Sequence, residues 1–428
     1  MTIIELVSLL LVLSGLFGAI NYFFLKLPQA IGIMVIALTG SIALLGLDAL
    51  APDLGIASHA AETVKKLEFS DALLEGMLGL LLFAGALHVS LTHLKRQAVV
   101  VFLMATLGVA LSTAIVGVGM SWITGMPLLV ALVFGALISP TDPVAVLGVL
   151  RTANIRKSLE TQIAGESLFN DGVGYVVYLV LVGLAFPATQ GHAAGASDAA
   201  LLFVQEAIGG AVLGGILGWS VFQLMKRIDD YALEVLLTLG LAFGGYSLAM
   251  HLHVSAPIMA VVAGLLIGHV GMAQGMSETT RDYVDAFWKL IDEVLNALLF
   301  LMIGFEVFAI AFDTSMITTM VLSLGLALFA RLAAVAVPIA ILHPFRASER
   351  DVIPMMTWGG IKGGISIALA LALPESEWKP IILASTYGVV IFSIIVQGLT
   401  VGGLAKRLAG SAPAPAEKDA CKAETAHS

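Results

Sequence analysis

Long apolar stretches recur along nearly the whole chain, and short polar segments separate them. An α-helix needs about 20 apolar residues to cross a lipid bilayer. Thirteen stretches meet this requirement, and the pattern therefore predicts an all-α polytopic membrane protein. In chain order they lie near residues 3–25, 30–50, 71–91, 98–124, 127–150, 158–186, 199–225, 231–251, 254–272, 285–312, 317–342, 350–373 and 380–405.

The composition agrees with this fold class and excludes a soluble globular protein. Of the 428 residues, 59% are hydrophobic and only 12% are charged, whereas an ordinary soluble chain is about a quarter charged. The formal net charge of −9 gives no indication of nucleic-acid binding. The single cysteine, Cys421, cannot form an intramolecular disulfide. We expect one transmembrane unit over residues 1–409.

The basic residues predict the orientation of the chain in the membrane. Thirteen spans place the two termini on opposite sides. Most of the 21 lysines and arginines follow odd-numbered spans, as Lys95, Arg156 and Lys226 do, or lie in the C-terminal tail. Because basic residues are enriched on the cytoplasmic side, we expect the N-terminus outside and the C-terminus in the cytoplasm. Residues 410–428 are predicted to be a short disordered tail.

The fifth span contains the sequence Ser139-Pro140-Thr141-Asp142-Pro143. Pro140 lacks an N–H and disturbs the helix before it, while Thr141 or Asp142 ahead of a proline is typical of a new helix start. The span therefore predicts two half-helices with open backbone between them, which membrane proteins tolerate only beside a cavity or within protein. The alternative is a simple proline kink in which Asp142 only caps the second half.

The sixth span carries a cluster of oxygen-bearing side chains, Glu166, Ser167, Asn170 and Asp171. On a helix, Ser167 and Asp171 share one face, and Glu166 and Asn170 form a parallel row beside it. Polar groups are costly at this depth, and hard cations favour oxygen ligands, so the cluster indicates a cation site. A proton and a cation would compete for one carboxylate there. The alternative is a polar contact that only holds the spans together.

Arg331 stands alone among Leu, Ala and Val in the eleventh span. A guanidinium is not readily neutralised, so it needs a partner inside the membrane, and Glu166 is the candidate. An ion-paired Glu166 would be structural and would leave Asp171 as the titrating acid. The alternative is that Arg331 extends to the membrane interface.

The twelfth span is interrupted by the sequence WGGIKGG at residues 358–364, in which four glycines surround Lys362. This predicts a second broken helix. The fifth and twelfth spans lie seven apart with opposite orientations, and paired interruptions in two inverted halves indicate a transporter's substrate site. Half-helix N-termini favour an anion such as Asp142, and C-termini favour a cation such as Lys362. The alternative is a glycine-rich packing surface with Lys362 at the interface.

Together these residues resemble the monovalent cation–proton antiporters, most closely their bacterial NhaP-type branch, which is related to the animal sodium–proton exchangers. The resemblance rests on SPTDPVAV in the fifth span, GESLFNDG in the sixth, the lone arginine in the eleventh and WGGIKGG in the twelfth. It covers essentially the whole chain. It implies a homodimer in the cell (inner) membrane that exchanges Na⁺ for H⁺ by alternating access, without a cofactor.

The resemblance also implies a domain organisation and a site. A mobile core would comprise spans at about 98–186 and 317–405, with the two broken helices crossing. Dimerisation spans would lie at about 3–91 and 231–312, joined to the core by the span at 199–225. Asp171 would bind the cation or the proton. The residues close to Na⁺ or supporting its site would be Asp142, Ser167, the Thr141 backbone carbonyl, Asn170, the Glu166–Arg331 pair and Lys362.

Three positions distinguish this chain within that family. The related electrogenic branch carries two aspartates where this chain has Asn170-Asp171, so a single titratable group there suggests electroneutral exchange of one cation for one proton. Many relatives carry an acid in the third span where this chain has Ala84, which argues against an ion ligand from that span. Lys362 stands where arginine is usual, and a buried lysine, unlike arginine, is able to lose its proton.

Two other functions are compatible with part of the pattern. A K⁺/H⁺ antiporter would use the same residues. An intramembrane hydrolase would use Asp142 and Asp171 as paired acid and base, but the sequence contains neither an HExxH zinc motif nor a GxSxG nucleophile motif. Other polar residues of the spans, including Asp292, Glu293 and Asn296, lie nearer the span ends, and the pattern assigns them to the interface or to local helix contacts.

Overall fold

The computed structural model describes residues 3–50, 71–143, 146, 150, 156–186, 196–309, 314–343 and 351–410. Within these ranges all regular secondary structure is helical. This is the expected outcome, because a helix satisfies its backbone N–H and C=O groups internally, as the membrane interior requires. The predicted tail lies, beyond Gly410, outside the described residues.

The helices are numbered α1 to α14 in chain order. They are α1 (Ile3–Ile20), α2 (Gln29–Leu50), α3 (Asp71–Leu87), α4 (Leu91–Thr124), α5 (Leu128–Leu137), α6 (Lys157–Ala185), α7 (Ala196–Met225), α8 (Tyr231–His251), α9 (Ala256–Leu266), α10 (Glu278–Phe305), α11 (Thr314–Leu342), α12 (Val352–Trp358), α13 (Gly364–Leu371) and α14 (Lys379–Leu408). Short π-helical turns extend or interrupt α1, α4, α9 and α14.

Each apolar stretch of the sequence overlaps one of these helices, but α5 covers only the first part of the fifth stretch, and the twelfth stretch overlaps both α12 and α13. Eight helices in the described parts of the chain are long and apolar enough to cross a membrane, and shorter apolar helices lie in α3, α5 and α9. The chain is therefore a multi-pass helical membrane protein. The count of thirteen spans and the inverted repeat stay predictions.

Two helices begin earlier than the hydrophobic pattern predicts. α4 begins at Leu91 rather than near residue 98, and α10 begins at Glu278 rather than near residue 285. Both early segments carry charged side chains, which lower the hydropathy without preventing a helix. Ser277 caps α10, since its hydroxyl accepts a hydrogen bond from Thr280 N at 3.3 Å. At its other end α10 gives way to a 3₁₀ turn at Glu306–Ala309.

Two helices stop in the middle of a predicted span, at the positions where the sequence places interruptions. α5 ends at Leu137, residues 140–142 are not helical, and helical backbone returns at Val146. α12 ends at Trp358, and α13 begins at Gly364. Prolines that lack an N–H cause the first interruption, and the conformational freedom of glycine permits the second.

Buried apolar clusters show how the helices group around these interruptions. One cluster, around Phe83 and Trp288, packs α3, α8, α9 and α10 together. Another, around Phe134 and Tyr178, packs α4, α5, α6, α11 and α13 together. A third joins both groups and contains Ile361, which lies between α12 and α13. The second broken segment therefore lies where the two groups of helices meet.

The contact between α4 and α5 depends on glycines. A Cβ atom on Gly135 of α5 would lie 2.3 Å from the backbone oxygen of Thr113 in α4. A Cβ atom on Gly117 of α4 would lie 2.6 Å from Leu132 Cδ2. Small residues allow helix backbones to approach this closely in membranes. The contact fixes the position of α5, whose C-terminal end leads into the first interruption.

We predict that Gly135→Ala lowers stability by about 1–3 kcal/mol, because the added methyl group has to push α4 and α5 apart. Thermal unfolding of the purified protein in detergent measures the loss. Gly325→Ala in α11 is the matched control, since a Cβ atom there meets no heavy atom within 4 Å. An equal loss of stability in the two variants would contradict this account.

Candidate functional site

The two broken segments cross and are joined through their backbones. Asp142 N donates a hydrogen bond to Ile361 O at 2.7 Å. Gly363 lies directly against Asp142, and a Cβ atom on this glycine would lie 2.5 Å from Asp142 Cβ. Because no side chain fits into that gap, the glycine is what permits the approach. The structure thus brings together the interruptions of the fifth and twelfth spans.

A hydrogen-bond network ties the first broken segment to α6. Asn170 is bound to Thr141 twice: its Nδ2 donates to Thr141 Oγ1 at 2.9 Å, and its Oδ1 accepts from Thr141 N at 3.3 Å. Thr141 Oγ1 also lies 2.9 Å from Ser167 Oγ. All three side chains are buried. Asn170 therefore satisfies backbone and hydroxyl groups that the broken helix leaves open.

Asp171 lies on the same face of α6 as Ser167. Its side chain is 6% exposed, and among the described residues its Oδ1 has no hydrogen-bond partner. Asp142 and Asp171 line one cavity. A buried carboxylate oxygen without a partner is costly, so this position favours binding of a proton or a cation.

Lys362 lies at the C-terminal end of the first half-helix. Its ammonium group donates hydrogen bonds to Ser139 O at 2.9 Å and Pro140 O at 3.2 Å. Its backbone N–H donates to Ser393 Oγ at 2.9 Å. The side chain is buried and does not extend to the interface. A cation at a helix C-terminus is stabilised by the partial negative charge of the open carbonyl groups.

Arg331 and Glu166 form a buried ion pair. Arg331 Nη2 donates to Glu166 Oε2 at 2.8 Å, and Nη1 donates to Oε1. The guanidinium also donates to Met356 O, from Nη2 at 2.8 Å and from Nε at 3.2 Å. The arginine is 6% exposed, so it does not extend to the interface. It joins α6 to the last turn of α12.

A second glycine makes room for this arginine. A Cβ atom on Gly360 would lie 2.0 Å from Arg331 Nε. The terminal carbonyl of α12 also has a partner, because Gln397 Nε2 donates to Trp358 O at 3.1 Å. The glycines of residues 358–364 therefore permit the interruption of the helix and also leave room for Arg331 and Asp142 to lie against the backbone.

A cavity of about 650 Å³ extends from Asp171 and Asp142 to exposed residues at the protein surface. Two basic residues lie along it: Lys157, which follows the odd-numbered fifth span, and Lys289, at the start of the tenth span. The predicted topology places both on the cytoplasmic side. On the opposite side of the site, Tyr178 Oη donates to Leu369 O at 2.9 Å within a buried apolar cluster. With the predicted orientation, the cavity opens towards the cytoplasm.

The cavity contains residues to which the sequence pattern assigns no role in the site. Asp292, Glu293 and Asn296 of α10 line it, together with His88 at the end of α3. Asn296 Nδ2 donates to Asp292 Oδ1 at 3.0 Å, so this pair is also a local helix contact. Helical spacing of residues 289, 292, 293 and 296 indicates one polar face, a signal that could have identified them.

At position 84 the third span carries an alanine, which has no side-chain oxygen to offer the site. Its side chain is buried, and its backbone oxygen lies 2.7 Å from His88 Nδ1. Leu81, Leu82 and Gly85 are the cavity-lining residues around it. The part of the cavity wall that α3 forms before His88 is therefore apolar.

Comparison with known proteins adds evidence on the family. Residues 8–407 match the family model described as sodium/hydrogen exchanger, transmembrane. The chain is 45% identical to the Na(+)/H(+) antiporter NhaP of Pseudomonas aeruginosa, with 96% of this chain and 98% of that protein covered. It is 34% identical to the Na(+)/H(+) antiporter NhaH of Halobacillus dabanensis, with 90% and 93% covered.

A solved structure supports the fold. The sodium proton antiporter MjNhaP1 from Methanocaldococcus jannaschii, determined at pH 8, matches with a TM-score of 0.75. The alignment covers 95% of this chain and 98% of that chain, at 21% sequence identity. At this identity the match concerns the arrangement of helices rather than the chemistry of individual residues.

We predict that Arg331→Met destabilises the protein by about 3–5 kcal/mol, because it leaves Glu166 buried without its partner. Combining it with Glu166→Met should recover much of the loss, since no lone charge then stays buried. Thermal unfolding and the yield of folded protein report both effects. A double variant as unstable as Arg331→Met alone would contradict the explanation by an unpaired charge.

Proposed function

Since the chain belongs to the sodium/hydrogen exchanger family, we propose that it is a secondary active Na⁺/H⁺ antiporter of the cell (inner) membrane. Its relatives in this family are transporters rather than enzymes, and two of the most similar carry the name Na(+)/H(+) antiporter. The proposal also takes up the predicted orientation, with the C-terminus in the cytoplasm.

One observation carries the proposal. Asp171 is buried at the crossing of two broken helices, lines a cavity and presents Oδ1 without a hydrogen-bond partner in the described residues. In contrast, the Glu166 carboxylate is fully engaged by Arg331. Asp171 is therefore the acid whose negative charge has to be neutralised by an exchangeable ligand. A proton and an alkali cation both meet that need, and binding of one excludes the other.

The surroundings of Asp171 support a site for Na⁺. Hard cations favour carboxylate, hydroxyl and carbonyl oxygens. Asp171, Asp142, Ser167 and the carbonyl of Thr141 supply such groups within the network around the first interruption. Asn170 holds Thr141 in place, and Lys362 offsets the open carbonyls of the same half-helix.

Alternating access explains how one site serves both sides of the membrane. The cavity connects the site with the predicted cytoplasmic side, while buried apolar side chains close the other side. In the proposed cycle the core, spans at about 98–186 and 317–405, moves against the dimerisation spans at about 3–91 and 231–312. A homodimer would hold the dimerisation spans still, and the span at 199–225 would link the two parts.

We predict that Asp171→Asn abolishes exchange while the protein stays folded, because an amide takes up no proton in this pH range and carries no negative charge for Na⁺ to neutralise. Proteoliposomes with an imposed pH gradient and a pH-sensitive dye measure the activity as Na⁺, Li⁺, K⁺ or choline is added. Asp282→Asn is the matched control, since Asp282 is exposed on α10 and does not line the cavity.

Each response in this assay has a clear meaning. Dequenching with Na⁺ in the parent and in Asp282→Asn, but not in Asp171→Asn, is the expected result. Na⁺-dependent proton flux that survives Asp171→Asn would defeat the assignment of the site. A response to K⁺ in place of Na⁺ would identify a K⁺/H⁺ antiporter built on the same residues.

The exchange is expected to be electroneutral, with one cation moving against one proton. Asn170, the neighbour of Asp171, has no titratable group, so the pair binds one charge at a time. We predict that reconstituted vesicles show no net current during Na⁺-driven proton transport and that the rate does not depend on membrane voltage. A measurable current carried by the parent, and absent from Asp171→Asn, would contradict this stoichiometry.

A further inference from the structure

The first turn of α8 contains a buried carboxyl group that the proposed transport cycle does not use. The Glu234 side chain is 0% exposed, and neither Oε1 nor Oε2 has a hydrogen-bond partner within the described ranges. An ionised carboxylate in this position would lose its hydration without gaining a positively charged partner in the described residues. The group therefore requires another means of neutralisation.

The neighbours of Glu234 do not supply a positive charge. Thr280 of α10 lies close enough to offer the carboxyl group a weak hydrogen bond. Its hydroxyl is already engaged by Ser277, since it lies 3.1 Å from Ser277 Oγ and donates to Ser277 O at 3.2 Å. Asp229 and Asp230, which precede α8, are exposed and act on the carboxyl with the same sign of charge. These two acids therefore add negative charge beside Glu234 rather than neutralising it.

The other helices packed on α8 also carry titratable or charged groups at this end. They are Lys226 and Arg227 after α7, His269 in the π turn that follows α9, Arg281 on α10 and His88 at the end of α3. In the described parts of the chain, none of them forms an ion pair with Glu234, and His88 pairs with Asp285 instead. No group of three or more metal-ligating side chains occurs there either. A proton is the ligand that remains.

We propose that Glu234 is a second proton-binding site, separate from Asp171, and that its proton keeps α8 packed against α10. With the proton bound, the carboxyl group is neutral and stays buried. When the proton leaves, the carboxylate has to gain contact with water, and the α8–α10 contact opens.

α10 connects this site with the transport cavity. One face of α10 packs inward through the buried residues Thr280, Val284 and Trp288, and Trp288 Nε1 donates to Thr238 Oγ1 of α8 at 3.0 Å. Within about one turn further along α10, Lys289 and Asp292 line the cavity. Opening of the α8–α10 contact therefore displaces a wall of the cavity. This last step, unlike proton binding itself, rests on the proposed transport function.

Proton binding is tested in a background that is expected not to transport. In Asp171→Asn, infrared difference spectra between acidic and alkaline pH should contain a C=O band of a buried protonated carboxyl group. Adding Glu234→Gln should remove the component of that band that belongs to Glu234, while a component from the buried Glu306 would stay. Adding Glu278→Gln, an exposed position in the first turn of α10, should leave both components. A spectrum unchanged by Glu234→Gln would overturn the proposal, whatever the protein transports.

Thermal unfolding gives a second readout. The folded chain would hold a proton that the unfolded chain has lost at neutral pH, so rising pH should destabilise the parent. Glu234→Gln lacks this proton equilibrium. Its melting temperature should therefore increasingly exceed that of the parent as the pH rises, whereas Glu278→Gln should follow the parent. A constant difference between Glu234→Gln and the parent would contradict the proposal.

The link to transport is tested by the pH profile. The rates of the parent and of Glu234→Gln should agree at acidic pH and diverge as the pH rises, with the same order of cation preference. Coinciding profiles, together with a lost infrared band, would overturn the link to the cavity wall. They would leave the proton site and the antiport function standing.

Discussion

Each interrupted helix leaves carbonyl groups at its end that have no partner in the helix and, at membrane depth, no water. Lys362 binds Ser139 O and Pro140 O at the first interruption, and Arg331 binds Met356 O near the second. A lone cation would itself be costly to bury, but the carbonyl dipoles offset that cost. The open carbonyl groups and the buried cationic side chains thus satisfy one another's hydrogen-bonding groups. The site between the two interruptions depends on these contacts.

The presence or absence of a buried partner also distinguishes the two acids of α6. Glu166 and Asp171 lie little more than one turn apart in the same helix, and both are buried. Glu166 has both oxygens engaged by Arg331, whereas Asp171 Oδ1 has no partner among the described residues. Residue type alone therefore does not determine whether a buried carboxylate is paired within the protein. In α6 the difference depends on the position of one arginine in another helix.

Much of this arrangement follows from local sequence patterns. The prolines around Asp142 and the glycines around Lys362 predict the two interruptions, and helical spacing predicts the polar face of α6. The partners of Lys362 are harder to predict, because its contacts with Ser139 and Pro140 join segments more than half the chain apart. The sequence also does not show that α10 forms a wall of the cavity. Asp292 and Asn296 lie near a span end, and hydropathy does not show which side of a helix faces an internal space.

The hydrogen bond from Asp142 N to Ile361 O has a consequence for energetics. It couples the two interruptions mechanically, so a displacement of one segment carries the other with it. In the proposed cycle, an ion bound at the crossing would therefore keep the same coordinating atoms while the surrounding helices rearrange. It would meet the same ligands from either side of the membrane. In a carrier built this way the protein sets how fast exchange occurs, and the two ion gradients alone set the direction of net flux.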